Sequence, residues 1–198
     1  MISFIICVFS QSGFGQISGS EHDFSAELWN TSGEMCIVCH APHNADVSIA
    51  DAPLWNHQIT TQVFTLYTSS TFDGVAGQPD ASSKLCLSCH DGVTAVDNFG
   101  GETAGTEFIT GARNIDVDLS DDHPVSFTYN TALATADGGL KDPATDPSGL
   151  GGTINADMLI GGKMQCASCH DVHNTAGEAH LLRLSNASSA LCLTCHIK

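Results

Sequence analysis

Apolar positions along this chain rarely keep the 3.6-residue spacing of a long amphipathic helix, and no such helix is predicted. Met1 to Phe9 is a continuous apolar run, MISFIICVF, followed by the small and polar stretch SQSGFGQISGS. Residues 1–16 therefore read as a secretory leader, too short to span a bilayer as a helix. Residues 59–68, ITTQVFTLYT, are β-branched and aromatic and predict a short strand. A spacer over 97–163 holds most of the glycines and three of the six prolines. Within it GTEFITGA and PVSFTY predict short strands, and residues 137–152, DGGLKDPATDPSGLGG, predict a loop. The run Ala-Ser-Ser precedes Cys86 and again Cys192 by a few residues, offering a serine cap to one or two helical turns.

Composition narrows the function. With 6 Lys+Arg against 22 Asp+Glu, the formal net charge is -16. That excludes a nucleic-acid binder or a polybasic membrane-surface protein, which need cations to meet phosphate. Aromatics are only 7%, so little of a core can come from rings, yet the chain carries 9 Cys and 10 His.

Eight of the nine cysteines fall in four copies of one pentapeptide. These are CIVCH (Cys36, Cys39, His40), CLSCH (Cys86, Cys89, His90), CASCH (Cys166, Cys169, His170) and CLTCH (Cys192, Cys195, His196). CxxCH is the attachment motif of c-type haem. Two thiols three residues apart lie on one side of a helical turn, where each can form a thioether with one porphyrin. The adjoining histidine is then held beneath the iron. Disulfides would explain the pairs, and zinc two CxxC units, but neither requires a histidine after every pair. Four covalently bound haem c groups are expected. The fold class expected is a multihaem cytochrome c: a coil-rich chain with short helices and a few short strands, wrapped around four stacked haems. Attachment of haem c outside the cytoplasm, with the leader, places the chain as exported.

The motifs repeat in order. ASSKLCLSCH at 81–90 recurs as ASSALCLTCH at 187–196 with eight of ten positions identical, and CIVCHAPHN at 36–44 recurs as CASCHDVHN at 166–174. The organisation is a haem-pair unit at 36–90, the spacer at 97–163 and a second haem-pair unit at 166–196, within one domain over 17–198.

Four irons with motif histidines need at most four further ligands. Methionines are scarce, and Met35 and Met164 sit within two residues of their own motifs. Histidine on both faces is therefore expected, with His22, His43, His57, His123 and His173 as candidates and His180 as a weaker one. His43 and His173 lie three residues beyond a motif histidine and suit a neighbouring haem rather than their own. His123 needs a carboxylate or carbonyl on its other ring nitrogen to fix its tautomer. Two strong-field nitrogens leave no open site, so electron transfer is expected and catalysis is not.

The segments SEHDFS, WNTSGEMCIVCHAPHN, APLWNH, ASSKLCLSCHDG, DDHPVSF and ASSALCLTCH, in that order, resemble the tetrahaem filament-forming extracellular cytochromes of the OmcE type. They are also similar to the broader group with doubled CxxCH motifs. The resemblance implies an extracellular head-to-tail homopolymer, a nanowire, with an unbroken line of bis-histidine haems. It further implies that one subunit's histidine can ligate a haem of the next. His43 is the candidate by position, with the haem on Cys192 and Cys195 as its terminal partner. Redox proteins or extracellular acceptors would be the other partners, with no nucleic acid and no membrane span in the mature chain. Alternative readings are a soluble periplasmic tetrahaem shuttle and a small haem reductase.

Overall fold

The ten residues Ala81–His90 form one helix, α1, the longest element of the computed structural model, which describes residues 16–49 and 52–197. The leader expected over 1–16, with Cys7, lies outside the described residues except for Gln16. α1 is held by its serines. Ser83 and Ser88 are fully buried. Ser83 Oγ accepts from Cys166 N (3.0 Å). Ser88 Oγ donates to Lys84 O (2.7 Å) and accepts from Thr60 N (2.9 Å).

The near-identical second copy folds differently. Ala187–Ser189 is a 3-10 turn, Ser188 and Ser189 are left-handed at φ 54° and 63°, and helix α5 covers only Cys192–Cys195. Residues 187–190 are exposed and have no partner like Cys166 or Thr60 to hold a helix. The expected serine caps are used in neither copy. The residue capping α1 is Asp80, and no side chain closes the cap.

The spacer supplies the only two-stranded sheet among the described residues. β1, Phe127–Thr128, pairs antiparallel with β2, Lys163–Met164, in the register Phe127 to Met164. β1 lies in the predicted PVSFTY strand. The other two predicted strands do not form ladders. Residues 59–68 have no regular structure beyond one bridge, and Phe64 is bonded through both backbone groups by the Gln78 side-chain amide (2.9 and 2.8 Å). Only Thr65 bridges to another segment, at Asp118. Residues 105–112 form no strand, and Gly111–Arg113 turns as a 3-10 helix.

Two short helices in the spacer have clear local causes. In α2, Thr131–Asp137, Asn130 Oδ1 accepts from Leu133 N, and Gly138 ends the helix at φ 69°. In α3, Ile154–Asp157, Thr153 Oγ1 accepts from Ala156 N. Their apolar faces feed the larger core cluster, Phe127, Tyr129, Ala134, Ile154, Met158, Leu159 and Met164, which reaches Leu191 and Cys195. A smaller cluster joins Phe64, Leu87 and Leu119. The third motif's turn, α4, is Cys166–Cys169 and packs against α1. No helix among the described residues is long and apolar enough to cross a membrane. The coil-rich chain with few short helices and one small sheet fits a small cytochrome.

Candidate functional site

Each CxxC lies in a turn or a short helix, and all eight motif thiols are free of disulfides. At the third and fourth motifs the helix stops at Cys169 and Cys195. His170 and His196 then run extended (ψ 146° and 142°) into single bridges with Leu182 and Leu140. His40 bridges Trp55 in the same way.

The Nδ1 atoms of three motif imidazoles meet backbone carbonyls. His40 Nδ1 lies 2.5 Å from Pro53 O, His90 Nδ1 2.7 Å from Arg113 O and His170 Nδ1 3.0 Å from His180 O. With Nδ1–H donated, the tautomer is fixed and Nε2 is left as the free electron pair a metal needs. His123 carries the same feature, Nδ1 to Pro124 O at 3.0 Å. Which carbonyls accept from these imidazoles was not legible in sequence. His180, in particular, contributes its backbone oxygen, aimed by consecutive left-handed residues His180 and Leu181 (φ 58° and 57°).

Three motif histidines stand opposite a histidine from outside the motifs. Ring centroids are 6.1 Å apart for His90 and His22, 6.2 Å for His40 and His173, and 6.4 Å for His196 and His123. Two imidazoles holding one metal, each through a nitrogen about 2 Å from it, would have ring centroids about 6 Å apart. The spacing therefore suits one iron between each pair. Interplanar angles are 51°, 11° and 79° respectively. His173 faces the first motif, not its own. Burial, with the neighbouring His90 adding to it, lowers His22 to about 4, so it is neutral and ligand-competent at neutral pH. Burial also lowers His123.

No imidazole stands at that distance from His170 among the described residues. His43 is exposed and faces no motif histidine. His57 is 2% exposed, with Nδ1 2.8 Å from Gln58 O and Nε2 3.0 Å from Ala95 O and 3.5 Å from Cys89 Sγ. Burial pulls its pKa down, so the ring is neutral and its one N–H can satisfy only one of those carbonyls. The ring packs edge-on to Trp55 and also faces no motif histidine.

The neighbouring Cys166 thiol and burial hold Cys86 protonated, and the same neighbour draws Cys166 below its usual value. Cys39 adds its field to Cys86 and Cys89, Cys192 to Cys169, and Cys169 to Cys195. Burial is the main reason that Cys39 and Cys195 are pushed up to about 11. Such thiols stay protonated at neutral pH and are weak nucleophiles on their own.

The residues fit a porphyrin. Among the described residues, four buried side-chain polar atoms have no partner: His22 Nδ1, Trp55 Nε1, Ser82 Oγ and Asn174 Oδ1. Buried polar atoms are normally paired. All four sit beside a CxxCH motif, and Trp55 Nε1 and Ser82 Oγ are donors of the kind a porphyrin carboxylate accepts. Low aromatic content and two modest apolar clusters leave the remaining apolar contact to the cofactor.

Residues 160–198 match the family model of the doubled CXXCH motif, and no curated protein matches the chain. The matched segment contains the third and fourth motifs. The CXXCH motifs indicate covalently bound haem c, and the doubled arrangement is that of a multihaem c-type cytochrome involved in electron transfer.

Proposed function

We propose that this chain is the repeating unit of an exported, extracellular filament that carries electrons along a line of four bis-histidine haems c. The carrying observation is the set of three imidazole pairs, each joining a motif histidine to one outside the motifs at 6.1–6.4 Å. The packing of α4, which carries the third motif, against α1, which carries the second, supports closely spaced haems at those two motifs.

In this reading the ligand pairs are His40 with His173, His90 with His22, and His196 with His123. Since His123 faces the fourth motif, the haem on Cys192 and Cys195 is not the one that needs a neighbour's histidine. That need falls on the haem of Cys166, Cys169 and His170. The exposed His43 of the adjoining subunit is its ligand, and a head-to-tail contact of this kind propagates an open fibre. His57 packs rather than ligates. When bound, each haem supplies a one-electron couple. The chain's own residues fix its orientation, hold the imidazole tautomers and exclude water. Saturated irons have no place for a substrate, so the protein is a conductor and not an enzyme.

Negative-stain microscopy of the purified holoprotein tests the assembly. Fibres are expected, and loss of fibres with one high-spin haem per chain is expected for His43→Ala. Monodisperse monomers of the unaltered protein at high concentration would refute the filament and favour a soluble periplasmic shuttle. A high-spin fraction in assembled fibres, with ready CO binding, would refute saturated ligation.

A further inference from the structure

Asp91 follows His90 directly and is 0% exposed. Its Oδ1 accepts from Val93 N (2.9 Å) and Thr94 N (2.7 Å). Its Oδ2 accepts from Thr60 Oγ1 (2.6 Å) and Thr94 Oγ1 (2.9 Å). All four partners donate, which is the shell of an ionised, acceptor-only carboxylate. No lysine or arginine pairs with it among the described residues. A negative charge is thus fixed in the interior, tolerated because four hydrogen bonds replace its water. Its field reaches the attachment sulfur of Cys89 and the ring of His57.

The other motifs lack this feature. The residues after their histidines are Ala41, Asp171 and Ile197. Asp171 is the only other acid, and its side chain is 19% exposed and lies 3.6 Å from the His173 ring. Water screens it in a way that Asp91 is not screened.

We propose that the buried Asp91 carboxylate lowers the reduction potential of the haem held by Cys86, Cys89 and His90, making that site electrostatically unlike the others. The inference rests on the second motif carrying a haem. Reduction adds one electron, Fe(III) to Fe(II), with no bond made or broken and no proton required. The site's net charge falls by one, and a fixed anion nearby in a low-dielectric interior opposes that change. Thr60 belongs to the same device. It sits 1% exposed in the 59–68 segment, ties that segment to α1 through Ser88, and disperses the carboxylate charge through its hydroxyl.

The test is redox titration of the holoprotein as wild type, Asp91→Asn and Thr60→Val, with haem stoichiometry by intact mass and resonances assigned by paramagnetic NMR of the haem methyl groups. In Asp91→Asn the amide oxygen keeps the two backbone donors. The Thr60 and Thr94 hydroxyls can rotate to accept from the new NH2 group. The expected result is unchanged haem mass, low-spin iron throughout, and one midpoint raised by about 59 mV, a tenfold change in reduced-to-oxidised ratio for one electron. That midpoint belongs to the Cys86/Cys89 haem. Thr60→Val keeps the charge and removes one hydrogen bond, so the same midpoint is expected to stay or fall. Unmoved midpoints in Asp91→Asn, or an equal shift of every haem, would overturn the proposal. A rise in Thr60→Val like that in Asp91→Asn would show packing rather than charge, and would overturn it too. A wild-type protein without haem mass on the second motif would instead remove the reading beneath it.

Discussion

Replacing Asp80 by alanine should loosen the joint between the two inner motifs. Asp80 sits at the head of α1, and its carboxylate ties that helix to Lys163 of β2 and to Gln165, the residue before α4. Gln165 Nε2 donates to Oδ1 (2.6 Å), and Lys163 Nζ pairs with Oδ2. Asp80 N donates to Ser126 Oγ (3.0 Å), which itself donates to Gln165 Oε1 (3.1 Å). Gln165 is 1% exposed and immediately precedes Cys166, so its amide has no water to turn to. An unpaired buried amide costs about 1–3 kcal/mol. The Lys163 pair is 37% and 44% exposed and contributes at most about 1 kcal/mol. Asp80→Ala should therefore destabilise by about 2–3 kcal/mol, while Asp80→Asn, which keeps an oxygen for Gln165, should cost about 1 kcal/mol or less. Partial burial works against the Asp80 charge, but the hydrogen bonds from Lys163 and Gln165 outweigh it and hold the carboxyl below its usual 3.8. Since the folded value is the lower one, this stabilisation is complete above about pH 4 and disappears as pH falls through the folded pKa. Denaturant midpoints of the holoprotein at pH 7 and near pH 3, followed by circular dichroism, measure both effects. If Asp80→Ala stays within about 0.5 kcal/mol of wild type at pH 7, or if Asn is as damaging as Ala, the clasp does not work this way.

Three further outcomes follow from the same geometry. His173→Ala should convert the Cys36/Cys39 haem, and no other, to a high-spin, CO-binding state; a purely low-spin spectrum would dissolve the His40–His173 pairing. Tyr129→Phe should lose about 1 kcal/mol in urea unfolding, because the buried hydroxyl donates to Lys141 O at 2.6 Å and phenylalanine leaves that carbonyl unpaired; an unchanged midpoint would show that the carbonyl finds another donor. Fibres should persist in mild denaturant and come apart as acid protonates the ligating imidazoles, monitored by light scattering; fibres that survive strong acid would exclude ligation across the interface.

The motif residues needed no fold to be recognised. Cys-x-x-Cys-His is a local arrangement, and one helical turn suffices to bring its sulfurs and imidazole together. Net charge and the surplus of histidines were equally direct. What the sequence left open was pairing over distance. Six non-motif histidines were eligible as partners, and their immediate neighbours do not say which faces which motif. His173 meets His40 across 133 positions of chain, a distance set by how the N-terminal and C-terminal units fold against each other. Asp91 carried a readable hint, an acid directly after a motif histidine, but its burial depends on Thr60, thirty-one positions away.

The two copies of the ten-residue repeat mark the boundary. Their common residues determined the same chemistry in both places, because covalent attachment depends on atoms within one turn. They did not determine the same backbone. Where Thr60 and Cys166 cover the serines, the segment is a full helix; where 187–190 lie open, it breaks after one turn. Short helices have little stability of their own, so their length is decided by tertiary partners, whereas ligand spacing is already written into the covalent chain.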